Sequence, residues 1–223
     1  MLGVSRTPLR EALRMLQEEG LIEADHQQRT RIPSLDPQKL DALYATRIVL
    51  EALGIKLTVP HLKQADLQNL EALLKDMDVA AVSEDLDAWE TSHRQFHRLL
   101  MSGAGEQLRA IIASYADRCE YYRLLHTRHV YAQNPAQVLS EVAAGHRSVL
   151  EACQAREGGL AAYRLVQHLA RTALSLITQL TPEYDPAAVR MALLQVKGDP
   201  TFLEEKKRGR RRKMGEREPS CVE

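Results

Sequence analysis

Two histidines four residues apart on an apolar helical face are the first candidates for chemistry in this chain. Leu86, Trp89, His93, Phe96, His97 and Leu100 recur at the three- and four-residue spacing of one helix face. Both imidazoles therefore project from an otherwise apolar stripe and should point into a packed interior. His146 shares a face with Val142, Val149 and Cys153, and His168 lies beside the stripe of Leu165, Leu169 and Thr172. Imidazole suits zinc, nickel, copper or iron, and an i, i+4 pair joined by single ligands from two other helices builds a metal site inside a bundle. The competing reading is a set of core histidines satisfied by backbone carbonyls or a carboxylate, and spacing alone does not separate the two. Glu90, one turn before His93, is a candidate carboxylate behind a ligand or in place of one.

A second chemistry-bearing pattern lies near the N-terminus. Arg6, Arg10 and Arg14 form one helical stripe, roughly 100° from the stripe of Leu9, Leu13 and Leu16. A helix that reads DNA needs one face to pack and a neighbouring one to offer arginines to phosphates and guanine edges. An ordinary surface helix carries such a stripe too. Arg47 falls on the face of Leu40, Leu43 and Leu50, where a cation is costly unless it is paired, and either Glu51 or an anionic ligand can pair it. Tyr115, Cys119 and Tyr122 replace aliphatic residues along the face set by Leu108 and Ile112, which suits a pocket lining. Arg123 is a further candidate for an anionic ligand, although its expected place is the surface.

The elements that must position these residues are helices. Ser5-Arg6-Thr7-Pro8 starts the first one and Gly20 ends it; Leu21 to Asp25 and Thr30 to Pro33 can form a small hairpin; Asp36-Pro37 is an N-cap followed by proline at the first helical position. Helical segments then follow over 37–58, 64–80, 84–101, 105–126, 136–155, 159–180 and, more weakly, 186–196, divided by proline and glycine. Few β-branched runs leave little to build a sheet from, so the expected fold is an all-α antiparallel bundle. Thirty basic residues balance thirty acidic ones, so DNA or membrane binding would have to come from local clusters. Three scattered cysteines suit a reducing cytoplasm, and no apolar run approaches the ~20 residues of a spanning helix. Between Lys206 and Lys213 seven of eight residues are basic, in a stretch with no apolar periodicity that is expected to be a disordered tail.

The run from Leu2 to Ile22, LGVSRTPLREALRMLQEEGLI, closely resembles the recognition-helix stretch of the GntR family of winged helix-turn-helix repressors. By that resemblance Ser5, Arg6, Thr7 and Arg10 are the DNA-contacting positions and residues 21–33 the wing, with Thr30 where a glycine is usual. The family places two helices before this motif, so the DNA-binding domain is expected to be partial here. Residues 36 to about 180 resemble the all-helical FCD domain of the FadR-type subfamily, many members of which hold a divalent metal beneath an effector cavity. The matching positions are His93, His97, His146 and His168, with His93 standing where an aspartate is usual. The resemblance implies a metal, zinc or nickel first, and a small carboxylate effector that meets the metal and an arginine. Arg47, Tyr115, Tyr122 and Arg123 are the candidates to bind it, in a protein that acts as a homodimer.

Three domains are therefore expected: 1–34, a partial winged helix-turn-helix; 35–198, the helical effector and metal domain; and 199–223, the basic tail. The leading function is a DNA-binding transcription regulator rather than an enzyme. Two alternatives stay open at this point. A metal-dependent hydrolase could use the histidine site, against which stand the absence of His-Glu-x-x-His and of a general base beside the ligands. A ligand-binding remnant that no longer touches DNA is the other; DNA binding by the chain is expected to be weak or lost if the missing helices are needed to orient the arginines.

Overall fold

A proline-led cap sets where the bundle begins. The computed structural model of the chain describes residues 5–18, 22–24, 30–31, 36–131 and 135–197. Asp36 caps helix α2 (Pro37–Thr58), its carboxylate accepting from the backbone N–H of Gln38 at 2.9 Å and of Lys39 at 3.3 Å. Before it come α1 (Arg6–Glu18) and a two-residue antiparallel ladder of β1 (Glu23–Ala24) and β2 (Thr30–Arg31), pairing Glu23 with Arg31 and Ala24 with Thr30. The expected hairpin is thus present, while the wing tip at 25–29 and the residues after Arg31 lie outside the described residues, as do the basic tail and both expected domain boundaries. On α1 the leucine face is open: Leu9 is 43% and Leu16 36% exposed.

After a short 3-10 turn (Val59–His61) come α3 (Gln64–Val82), α4 (Leu86–Leu100), α5 (Glu106–Tyr131), α6 (Pro135–Gln154), α7 (Gly158–Leu180) and α8 (Ala187–Lys197). Each expected segment is there, with ends shifted by a few residues. Asp85 caps α4 by accepting from the N–H of Ala88 at 2.9 Å, and Asp66 closes the start of α3 by accepting from the N–H of Lys63 at 2.7 Å. Helix α2 runs between α5, α7 and α8, which is why Leu40, Tyr44, Ile48 and Ile55 along it are all buried. Helices α3 and α4 pack as a pair, α3 also meets α6, and α6 lies along α7.

Three contacts lock this frame around the histidines. Gly103, in the turn after α4, passes so close to α2 that a Cβ would lie 2.7 Å from the Thr58 Cα, and its N–H donates to Thr58 Oγ1 at 3.0 Å. A side chain there would push α4 away from α2. Asp41, buried on α2, accepts from the backbone N–H of Val189 at 2.9 Å and of Ala188 at 3.1 Å, capping α8 from a distant part of the chain. Arg156, in the turn after α6, has φ +59° and donates to the carbonyls of Val59 and Leu62, which ties that turn to the end of α2.

Candidate functional site

The four histidines singled out in the sequence meet. His93 and His97 come from α4, His146 from α6 and His168 from α7, and one ring nitrogen of each lies within 4.8 Å of those of the others. Ring centroids are 4.7 Å apart for His93–His97, 5.1 Å for His93–His146 and 4.4 Å for His146–His168, and the Nε2 atoms of His97 and His146 face each other at 3.3 Å. Trp89 stacks on His93 with centroids 4.8 Å apart, and Phe96 closes the floor against His146 at 5.1 Å. The i, i+4 spacing on α4 supplies one side of the cluster, and the α6–α7 pair supplies the other.

Core histidines with a purely structural part should find partners for their buried nitrogens. Here they do not. Among the described residues, Nδ1 of His93, of His97 and of His146 is buried without a hydrogen-bond partner, and so is Oε2 of Glu51. Burial away from water, reinforced by neighbouring cationic groups, holds His93 and His146 well below the ordinary histidine range and puts His168 at about 3. At neutral pH these three rings are therefore neutral, so each carries one ring nitrogen with a lone pair, the form that ligates a metal. The donor set fits a transition metal that favours imidazole: four nitrogens from three helices and no anionic ligand among them.

A carboxylate does stand behind the cluster, and it is not the one expected. Glu51 of α2, 1% exposed, places Oε2 3.7 Å from His97 Nδ1, longer than a hydrogen bond but within ion-pairing reach of the ring. Its Oε1 accepts from Arg47 Nε at 2.7 Å. Burial pushes the Glu51 carboxyl up, but the Arg47 guanidinium and His97 outweigh it and hold the group at about 2. Sequence reasoning saw the Arg47–Glu51 spacing as an ion pair and missed that its far side faces His97. Glu90 remains near His93 but its carboxylate is engaged by Arg123.

Arg123 corrects the expectation of a surface residue. It is buried between Glu90 and Glu120, with its guanidinium 5.5 Å from the centroid of the Trp89 ring. The aliphatic face of α5 turns it inward, and two carboxylates make that burial tolerable. Burial and the proximity of Glu120 and Arg123 act on Glu90 together, and burial wins, raising its carboxyl well above the usual range. Glu120 and its partner Arg94, 3.4 Å away, were not anticipated, because nothing in the spacing of α4 and α5 says which of their faces meet.

Beside the cluster opens a cavity of about 450 Å³ between α2, α4 and α5. Arg47, Glu51, His93 and His97 line it together with the apolar side chains of Met101 and Ile112 and with the exposed Arg98 and Arg109. Of the four residues expected to bind an effector, Arg47 is in this lining; Tyr115, Tyr122 and Arg123 are not. Tyr122 and Arg123 are buried, and Tyr115 is partly buried, near the Arg118 guanidinium at 5.7 Å. At the other end of the chain Ser5, Thr7 and Arg10 are exposed on and before α1, Arg14 pairs with Glu11 at 2.8 Å, and the Arg6 side chain lies outside the description.

Comparison with known proteins follows the same division. Residues 1–32 match the model of the bacterial regulatory proteins of the gntR family, and residues 42–171 match the FCD domain. The chain belongs to the GntR family and carries an FCD domain. All four histidines fall inside the FCD match, and Ser5, Arg6, Thr7 and Arg10 inside the other. Among curated relatives, the HTH-type transcriptional regulator YdhC of Bacillus subtilis is 32% identical over 126 residues, which is 55% of this chain and 56% of that one. The HTH-type transcriptional repressor GlaR of Escherichia coli is 29% identical over 176 residues, 75% of this chain and 77% of its own length. The chain thus spans little more than half the length of the first of these relatives. Among solved structures, McbR/YncC of E. coli superposes with a TM-score of 0.67 at 23% identity, over 80% of this chain and 82% of that one. A GntR regulator from Rhodococcus sp. RHA1 gives 0.60 at 21% identity, over 82% and 84%. The structural likenesses show the helical fold, the family follows from the two model matches, and the relatives named here are regulators rather than enzymes. Among the described residues no helix is long and apolar enough to cross a membrane.

Proposed function

We propose that this chain is a ligand-responsive transcription regulator in which the FCD domain holds one divalent transition metal and a small organic anion, and α1 meets DNA in a homodimer. The observation that carries the reading is the cluster of four imidazoles, three of which, His93, His97 and His146, have a buried nitrogen without a hydrogen-bond partner. His93, His97, His146 and His168 would hold the ion, and Glu51, itself held by Arg47, would orient His97. A bound ion would supply a Lewis-acid centre for a carboxylate, with zinc and nickel the first candidates. The cavity fits such an anion: it touches His93 and His97, has an apolar wall, and carries Arg98 and Arg109 without a carboxylate partner among the described residues. At the DNA end Ser5, Arg6, Thr7 and Arg10 would contact the duplex, as the family match over 1–32 supports.

Trp89 makes the proposal easy to test, because it is the single tryptophan and it stacks on His93. Titrating chelated protein with Ni²⁺ or Co²⁺ should quench Trp89 emission with an end point near one ion per chain, and elemental analysis should agree. His97→Ala and His146→Ala should each abolish the stoichiometric end point. Unchanged metal content and thermal stability in both variants would reduce the cluster to core packing.

A further inference from the structure

Gly145 occupies the interior of α6, directly before His146, a position where alanine is the better helix former. Its Cα faces the His168 ring across the α6–α7 crossing. A Cβ at 145 would lie 2.7 Å from His168 Nδ1, 3.5 Å from Cγ and 3.6 Å from Cε1. The first of these is well inside the ~3.5 Å or more at which nonbonded heavy atoms attract.

The ring, rather than the helix spacing, is what would have to give, and it sits in a closely filled site. The His168 ring is buried, with the His146 centroid 4.4 Å away and the His97 centroid 5.7 Å away. The helices are clamped beside the crossing, where Arg164 of α7 donates to the Ser148 carbonyl and, at 3.0 Å, to Glu151 Oε2 of α6. Val149 and Cys153 on α6 and Leu165 and Leu169 on α7 are buried in the same core. Ser148 Oγ in turn donates to the Gly145 carbonyl at 2.8 Å. A side chain at 145 would therefore act on the ring of His168 rather than on the spacing of the helices.

We propose that Gly145 is a positioning residue of the histidine cluster, and that its missing side chain is the space that holds the His168 imidazole against His146 and His97. The consequence for metal rests on the proposed metal centre; the contact itself does not. Co²⁺ binding, followed by its visible absorption and by competition with a chelator, should be about tenfold or more weaker in Gly145→Ala than in the unaltered protein. In EDTA the same variant should have a lower urea midpoint, read by Trp89 emission, despite alanine's helix preference. Against a His168→Ala background there is no ring to displace, so adding Gly145→Ala should raise the midpoint and leave Co²⁺ affinity unchanged. The proposal is overturned if Gly145→Ala binds Co²⁺ as the unaltered protein does with a raised midpoint, or if it costs as much stability without His168 as with it. Should Gly145→Ala alone not fold, folding of the double variant supports the proposal and its failure to fold refutes it. Unaltered protein that takes up no Co²⁺ would remove the metal centre, and the comparison in EDTA would still decide the contact.

Discussion

Replacing Arg47 by methionine should destabilise the metal-free protein far more than an ordinary surface change. The Arg47 side chain is 8% and the Glu51 side chain 2% exposed, and Arg47 Nη2 also reaches Glu51 Oε1 at 2.7 Å. Methionine keeps most of the stem's volume but leaves a buried carboxylate whose other oxygen already lacks a partner. Breaking a buried pair from one side costs about 3 to 5 kcal/mol. With a urea m-value of ~2 kcal/mol/M, that is a fall of about 2 M in the unfolding midpoint. The double change Arg47→Met, Glu51→Gln should recover much of the loss, because no uncompensated charge stays inside. A divalent ion at the histidines would supply positive charge beside Glu51, so the loss should also shrink in zinc-loaded protein. Urea titrations of the four combinations, in EDTA and in zinc, read by Trp89 emission, measure all of this. A fall below about 0.5 M in EDTA, or an equal fall in both states, would refute the view of Glu51 as a carboxylate shared between Arg47 and the histidine site.

Acid should act on the metal-free protein through the histidines. His93, His146 and His168 are neutral when folded and protonate in the unfolded chain, so their folded pKa values are depressed and stability is lost as pH falls below the ordinary ~6.5, at up to about 1.4 kcal/mol per pH unit for each. For His168 the loss ends near about 3. Urea midpoints in EDTA at pH 7, 6 and 5 should therefore drop steeply, and a flat profile would contradict the burial of neutral rings. Small carboxylates such as malonate and lactate should raise the melting temperature of metal-loaded protein more than of chelated protein, and equal shifts would take the metal out of anion binding. Arg10→Ala should reduce the salt dependence of binding to a labelled duplex by about 0.9 in the slope of log K against log salt if Arg10 meets one phosphate; an unchanged slope would place it off the DNA.

Much of this protein was legible in its sequence, for reasons that are local. Helix periodicity, proline and glycine breaks and the Asp36-Pro37 cap act within a few residues of where they are written, and they determine the helices and their order. The apolar stripe through Trp89, Phe96 and Leu100 dictates that His93 and His97 face inward, and on α1 Arg10 and Arg14 are exposed. What lies across a helix interface is another matter, since periodicity says that a face is buried but not against what. Tertiary packing alone decided that Glu51 reaches His97, that Glu90 and Glu120 draw Arg123 inside, and that Asp41 caps a helix nearly 150 residues further on. It also decided the meaning of Gly145, which in the sequence is a weak helix residue and in the fold is the opening that His168 fills. Each of these depends on two helices meeting at one register, and that register is set by the summed packing of all their side chains rather than by any residue taken alone.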